Sequence, residues 1–145
     1  MARIEESVAV ECPVERVFAY TTEARNWPKW HATMPEAEQT SKGKVCIGTT
    51  FKGKNRNMGQ TSDWTARVTE YAPNTHWGKV ITSGSIVIDD RLTFDSTEGG
   101  TKFTTTYDVK VSGLSKLASP VIVSSMRKQL KQDLTNLKRI LEAQA

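Results

Sequence analysis

"GLSKLASPVIVSSMRKQLKQDLTNLKRILEAQA", residues 113–145, closes the chain and decides how the rest must be arranged. Val123, Met126, Leu130, Leu134, Leu137 and Leu141 recur at steps of three or four, which puts one apolar stripe on a long helix. Arg127, Lys128, Lys131, Gln132, Lys138 and Arg139 fill the opposite side. Pro120 leaves two forms open. Either Ser119–Pro120 starts the main helix after a short turn at 114–118, or the proline kinks one longer helix.

Upstream, residues 33–112 have β character throughout. The candidate strands are 34–41, 48–57, 61–72, 75–83, 86–96 and 101–112, broken by "SKGK", "NMGQ", "APNT", "TSGS" and "STEGG". Consecutive strands with short connections imply an antiparallel meander. The chain opens with another strand, in which Ile4, Glu6, Val8, Val10 and Cys12 alternate with Arg3, Glu5, Ser7, Ala9 and Glu11. Pro13 ends it and suits the first turn of a short helix carrying Val14, Val17, Phe18 and Thr21 on one side. "RNWPKWH" reads as a second helical turn with Asn26 as N-cap. One sheet face must bury apolar residues, and only the C-terminal helix is large enough to cover it. The expectation is a single α+β domain over residues 1–145: a sheet curved around one helix, with an apolar pocket where the two do not close.

The composition agrees. A chain of 145 residues, 37% hydrophobic and 25% charged, is one globular domain and not a disordered segment. No apolar run approaches the roughly 20 residues of a membrane span. "MARIEESVAV" does not read as a signal peptide. Cys12 and Cys46 have no redox or metal spacing, so free thiols and a cytoplasmic location are expected. The formal charge of +4 is mild, but residues 39–62 contain no acid and carry Lys42, Lys44, Lys52, Lys54 and Arg56. Lys52, Lys54 and Arg56 alternate with Phe51, Gly53 and Asn55, so they belong to the outer sheet face. No exposed aromatics interleave with them, which argues against nucleic acid.

Four stretches, "VECPVERVFAYTTEARNWPKWH", "IGTTFKG", "VTEYAPNTHW" and "GGTKFTTTYDVKVSGLSKLASP…DLTNLKRILE", resemble the START-like, birch-pollen-allergen-like (SRPBCC) superfamily in order and spacing. The nearest likeness is its polyketide cyclase/dehydrase and lipid-transport branch. The resemblance implies a helix-grip fold, in which a seven-stranded antiparallel sheet wraps the C-terminal helix and two short helices support one end. It also implies a hydrophobic cavity between sheet and helix. It does not imply one activity, because fold alone does not give function.

Asp90 shares a strand face with Ile86, Ile88, Leu92 and Phe94, and Tyr107 shares one with Phe103, Thr105, Val109 and Val111. Both should point inward. A two-residue Gly99–Gly100 turn would set Tyr107 opposite Leu92, whereas a four-residue Thr97–Gly100 turn would set it opposite Asp90. Asp90 is then a structural acid bonded to Tyr107 or to backbone, a ligand contact, or a general acid or base. Glu6 is expected to face solvent. Trp64, Ala66 and Val68 share a face, as do Trp77, Lys79 and Ile81, so Trp64 and Trp77 are candidate cavity walls, joined by Phe51, Met126 and Leu130. In "NWPKWH", Trp30 is expected to pack and Trp27 to be partly exposed, while His31 and Met34 could meet ligand at an entrance. No His or Cys spacing suits a metal, no glycine run forms a phosphate loop, and Ser124 and Ser125 have no identifiable base. No cofactor is expected.

Three functions are compatible with these residues. The first is binding or carriage of a hydrophobic small molecule, contacted by His31, Met34, Phe51, Trp64, Trp77, Ile88, Asp90, Leu92, Tyr107, Met126 and Leu130. The second is a cyclase or dehydrase acting on a polyketide-like substrate, with Asp90 moving a proton and Tyr107 steadying an enolate oxygen. The third is weak contact of the basic outer face with an anionic membrane surface or a protein. A monomer and a homodimer are both compatible with the sequence.

Overall fold

In the computed structural model, which describes residues 2–57 and 59–144, seven antiparallel strands form one sheet in the order β1-β7-β6-β5-β4-β3-β2. The chain runs β1 (Ala2–Val10), α1 (Val14–Thr22), a 3-10 turn (Ala24–Asn26), α2 (Trp27–Trp30), β2 (Glu36–Gln39) and β3 (Thr50–Asn57). It continues through β4 (Gln60–Ala72), β5 (His76–Ser83), β6 (Ile86–Thr97), β7 (Gly100–Val111), a second 3-10 segment (Gly113–Ala118) and α3 (Ser119–Ala143). This is the helix-grip arrangement. Strands β2 to β7 form the meander, and β1 closes against β7 with Ile4 opposite Tyr107.

Several boundaries moved for local reasons. The strand expected at 34–41 shrinks to an edge strand paired with β3 only from Glu36 to Gln39. The chain then turns away through Gly43 and Gly48, both at φ +93°, a conformation that favours glycine. The first strand stops at Val10, because Cys12 N–H turns back onto the Val10 carbonyl. Pro13 sits at the N-cap of α1, its carbonyl accepting from Arg16 and Val17 N–H. Asn26 makes no cap bond to α2; its side-chain amide donates to the Tyr20 carbonyl. Pro120 lies in the first turn of α3 behind the 3-10 segment, so the proline opens the helix and does not kink it. Met58 lies outside the described residues.

The β6–β7 turn is Glu98–Gly99, with Gly99 at φ +97°, and Thr97 pairs with Gly100. That register sets Asp90 opposite Tyr107, through a shorter turn than the sequence suggested.

The core separates into two ends. At the β6–β7 turn end, α1 packs Phe18 edge-on against Phe94 at 5.1 Å and Tyr71 at 5.5 Å, and Phe94 meets Phe103 at 5.1 Å. The C-terminal half of α3 is tied down there. Lys138 Nζ donates to the Ala9 carbonyl (2.8 Å), and Glu11 N–H donates to Glu142 Oε2 (2.9 Å). The opposite end carries the β5–β6 turn. Between Ser119 and Gln129 only Val123 is buried, and the inward residues Ile81, Ile86, Ile88, Tyr107, Val111 and Met126 remain half-buried. The helix thus seals one end of the sheet and leaves the other partly uncovered.

Candidate functional site

Strict alternation on β5, β6 and β7 turns Lys79, Asp90, Thr105 and Tyr107 to the inner face. Asp90 is 4% exposed and Lys79 5%. Lys79 Nζ lies 2.8 Å from Asp90 Oδ2, and Thr105 Oγ1 donates to Asp90 Oδ1 at 3.0 Å. Of the readings open for Asp90, a structural bond to Tyr107 or backbone is not the one formed; these two partners hold it instead. The reason is register: Lys79 is the direct cross-strand neighbour of Asp90, and an ammonium neutralises a buried carboxylate where a phenol cannot. The ammonium also rests 4.5 Å from the ring of Trp77 and 4.9 Å from that of Trp27. Sequence reading placed Lys79 inward beside Trp77 but did not pair it. The signal was available, since an inward lysine and an inward aspartate on adjacent strands must find each other or remain uncompensated.

Trp27 is 2% exposed, not partly exposed as expected. Its indole N–H donates to the Thr21 carbonyl at 2.7 Å, and its ring contacts Phe51 (4.7 Å), Trp64 (6.1 Å) and Trp77 (6.1 Å). Trp30 is buried as expected. Gly53 makes room for this aromatic layer. A Cβ there would lie 2.5 Å from Trp64 Cζ2 and fall onto the Glu36 carbonyl. The buried indole nitrogens of Trp30, Trp64 and Trp77 have no protein hydrogen-bond partner among the described residues.

A second buried acid was not anticipated. Asp133 of α3 is 3% exposed. It accepts from Gln129 Nε2 (2.9 Å) and Ala32 N–H (3.2 Å) through Oδ1, and its Oδ2 lies 3.0 Å from His31 Nδ1. His31 is therefore held by α3, its ring centroid 3.7 Å from that of Trp30. Asp133 interrupts no apolar pattern strongly enough to show in sequence, because it sits beside Leu134 at the edge of the stripe.

Tyr107 stands apart from both networks. Among the described residues its hydroxyl has no hydrogen-bond partner. Burial raises its pKa well above the ordinary value of 10.0, and the charges of Asp90 and Asp133 push the same way. The phenol therefore stays protonated at neutral pH, as a free donor beside the half-covered end of the sheet. Ile88, Met34 and Met126 are half-buried, whereas Leu92 and Leu130 are fully enclosed core. Glu6 faces α3, not solvent, 3.8 Å from Lys131, because β1 keeps its alternation through Val10.

Two open hollows lie elsewhere. One of about 270 Å³ sits beside Cys12, Pro13 and Gly100 at the sealed end. Another of about 500 Å³ lies on the outer face, beside Thr50, Lys52, Thr65, Arg67, Val80 and Thr82. Neither is the expected space between sheet and α3.

A family model described as "Polyketide cyclase / dehydrase and lipid transport" matches residues 1–142. The chain belongs to that family. No curated protein matches it. The Zhui aromatase/cyclase from Streptomyces sp. R1128 is similar in structure at TM-score 0.85 and 13% identity, over 97% of this chain and 93% of that one. TTHA0849 from Thermus thermophilus is similar at TM-score 0.84 and 14% identity, over 99% of each chain. Ara h 8.0201 is similar at TM-score 0.75 and 17% identity, over 98% of each. At these identities the likeness establishes the fold.

Within this polyketide cyclase/dehydrase and lipid-transport family member, the basic run of residues 39–62 is less basic in space than in sequence. Lys52 meets Glu38 (3.2 Å) and Lys54 meets Asp63 (2.8 Å), acids contributed by the neighbouring strands β2 and β4. Cys12 and Cys46 are free, the first buried and the second exposed. Among the described residues no three His, Cys, Asp or Glu side chains gather as a metal-binding set, and no helix is long and apolar enough to cross a membrane.

Proposed function

We propose that the protein binds a neutral hydrophobic small molecule, lipid-like, polyketide-like or aromatic, at the partly uncovered end of the sheet beside the N-terminal half of α3. The observation that carries this reading is the set of inward apolar residues left half-buried there: Ile81, Ile86, Ile88, Val111 and Met126. Apolar side chains that point inward yet keep access to solvent form the kind of surface a hydrophobic ligand covers. Tyr107 supplies one hydrogen-bond donor for a carbonyl or hydroxyl of the ligand. The indole N–H of Trp64, buried without a protein partner level with the β5–β6 turn, suits a second acceptor. Asp90 and Asp133 are already engaged by Lys79 and Thr105 and by His31, Gln129 and Ala32 N–H, so neither leaves an unpaired charge for the ligand to meet.

A ligand panel followed by thermal unfolding and tryptophan fluorescence tests the reading. Binding at a hundred times Kd adds roughly 2.7 kcal/mol, or about 5–10 °C in Tm for a chain of this size. Ile88→Glu should abolish the shift, and Tyr107→Phe should reduce it. No stabilisation by any lipid, aromatic or polyketide-like compound would refute the proposal.

Tyr107 also favours a second reading, cyclisation or dehydration of a polyketide-like substrate. A phenol held protonated can donate to an enolate oxygen as charge develops. Asp90 could carry a proton in that scheme only by releasing Lys79 or Thr105, which hold both of its oxygens. Turnover that survives in Tyr107→Phe would count against this reading.

A further inference from the structure

The most exposed large apolar residues, apart from Ile47, fall in one short segment: Leu114 (91%), Leu117 (89%) and Val121 (72%). They lie on the 3-10 segment Gly113–Ala118 and the first turn of α3, at steps of three and four, so the chain presents them as one small apolar tip. The tip projects from the partly uncovered end of the fold, where Ser112 N–H donates to the Ser85 carbonyl of the β5–β6 turn. Scattered exposed leucines need no explanation, but three large apolar side chains this bare in eight residues do.

The charge around the tip is one-signed. No acid occurs from residue 109 to residue 132, while Lys110, Lys116, Arg127, Lys128 and Lys131 do. Lys131 is engaged with Glu6. Lys110, Lys116, Arg127 and Lys128 are exposed and have no acidic partner among the described residues. Val121, Ser124, Ser125 and Lys128 follow one another along the same exposed face of α3, so Lys128 stands about 10 Å behind Val121 along the axis. An apolar tip with an unpaired basic collar one to two turns behind it matches a bilayer surface, with acyl chains for the leucines and anionic headgroups for the lysines. The outer sheet face matches less well, since Lys52 and Lys54 are paired there and it carries no comparable apolar tip.

We infer that the segment Leu114–Val121 docks the protein on anionic phospholipid membranes, with the apolar tip seated among the headgroups and acyl boundary and Lys110, Lys116, Arg127 and Lys128 on the lipid phosphates. The inference is independent of the ligand reading, because these side chains face solvent and not the sheet.

Sedimentation with vesicles of phosphatidylcholine alone, and of phosphatidylcholine with phosphatidylserine, tests it. The intact protein should bind the anionic vesicles preferentially and lose binding as salt rises. Leu114→Ser/Leu117→Ser should weaken partitioning at least about ten-fold. Tm should not change, since both side chains are already solvated. Lys116→Gln and Lys128→Gln should each cost about five-fold. Absence of binding to the anionic vesicles would overturn the inference, as would equal binding by the leucine variant. A concentration-dependent dimer that the leucine variant dissociates, without vesicle binding, would also overturn it and assign the tip to a second copy of this chain.

Discussion

Lys79→Met tests the inner polar site most directly. The ammonium it removes is 2.8 Å from Asp90 Oδ2 and stacked over two indole rings. What remains is a carboxylate 4% exposed, with one neutral hydroxyl partner. Breaking a buried pair from one side costs about 3–5 kcal/mol, which corresponds to about 10–15 °C in Tm at this chain length. Asp90→Asn should cost a similar amount, because it strands the ammonium instead. The double variant should cost no more than one single, so the cycle should show a coupling at least as large as one single loss, about 3–5 kcal/mol. Urea unfolding followed by tryptophan fluorescence and circular dichroism measures each corner, and an unchanged m-value certifies the comparison. High salt should leave the coupling intact, since a buried pair is poorly screened. Single-variant losses below about 1 kcal/mol, adding without coupling, would mean that the pair is solvated and the reasoning wrong. The result also governs functional tests. An Asp90→Asn variant that loses activity through lost stability says nothing about proton transfer, so Tyr107→Phe is the cleaner probe.

Gly53→Ala should destabilise by about 1–3 kcal/mol, read in thermal unfolding, because its Cβ falls on Trp64 and the Glu36 carbonyl; an unchanged Tm would show that the aromatic layer gives way freely. Asp133→Ala leaves the Ala32 N–H, His31 and Gln129 without their acceptor and should cost about 2–4 kcal/mol in urea unfolding. Leu92→Ala should cost about 2–4 kcal/mol and Ile88→Ala about half as much or less, although they share a face of β6; equal losses would contradict the division into a sealed and an open end. Tyr107 should titrate well above the ordinary tyrosine value of 10.0 in ultraviolet absorbance. Its pKa is raised on folding, so its stabilising contribution is complete below about pH 10 and is lost as pH rises through the folded value. Tyr107→Phe should flatten that alkaline fall.

Alternation and helical periodicity are local, and they were legible. Ile4, Trp64, Trp77, Leu92 and Phe103 face inward as their spacing requires, and the α3 stripe from Val123 to Leu141 lies against the sheet. Partners contributed by other strands were not legible. Asp90 looked like an isolated inward acid because Lys79 lies eleven residues away and meets it only once β5 and β6 are in register. Lys52 and Lys54 looked like an acid-free patch because Glu38 and Asp63 arrive from neighbouring strands. Trp27 looked exposable because nothing in "NWPKWH" shows that the α2 turn inserts between α1 and the aromatic layer of β3, β4 and β5.

These partners change what the interior can do chemically. Two acids are buried, one on β6 and one on α3, and each brings its own partners: Lys79 for Asp90, and His31 with Gln129 and Ala32 N–H for Asp133. Each cluster is therefore satisfied before any ligand arrives, which suits a scaffold better than a reactive centre. Tyr107 differs because it is buried under the influence of two negative charges, and its hydroxyl has no partner among the described residues. Its environment favours the neutral phenol, and a neutral phenol without a protein acceptor can bond only to water or to a ligand. The half-buried Ile88 and Met126 offer apolar surface at the same end. On the proposed ligand reading, orientation comes from the Tyr107 hydroxyl and the Trp64 indole N–H set against an apolar wall, and a ligand lacking an oxygen in reach of Tyr107 should lose orientation before it loses affinity.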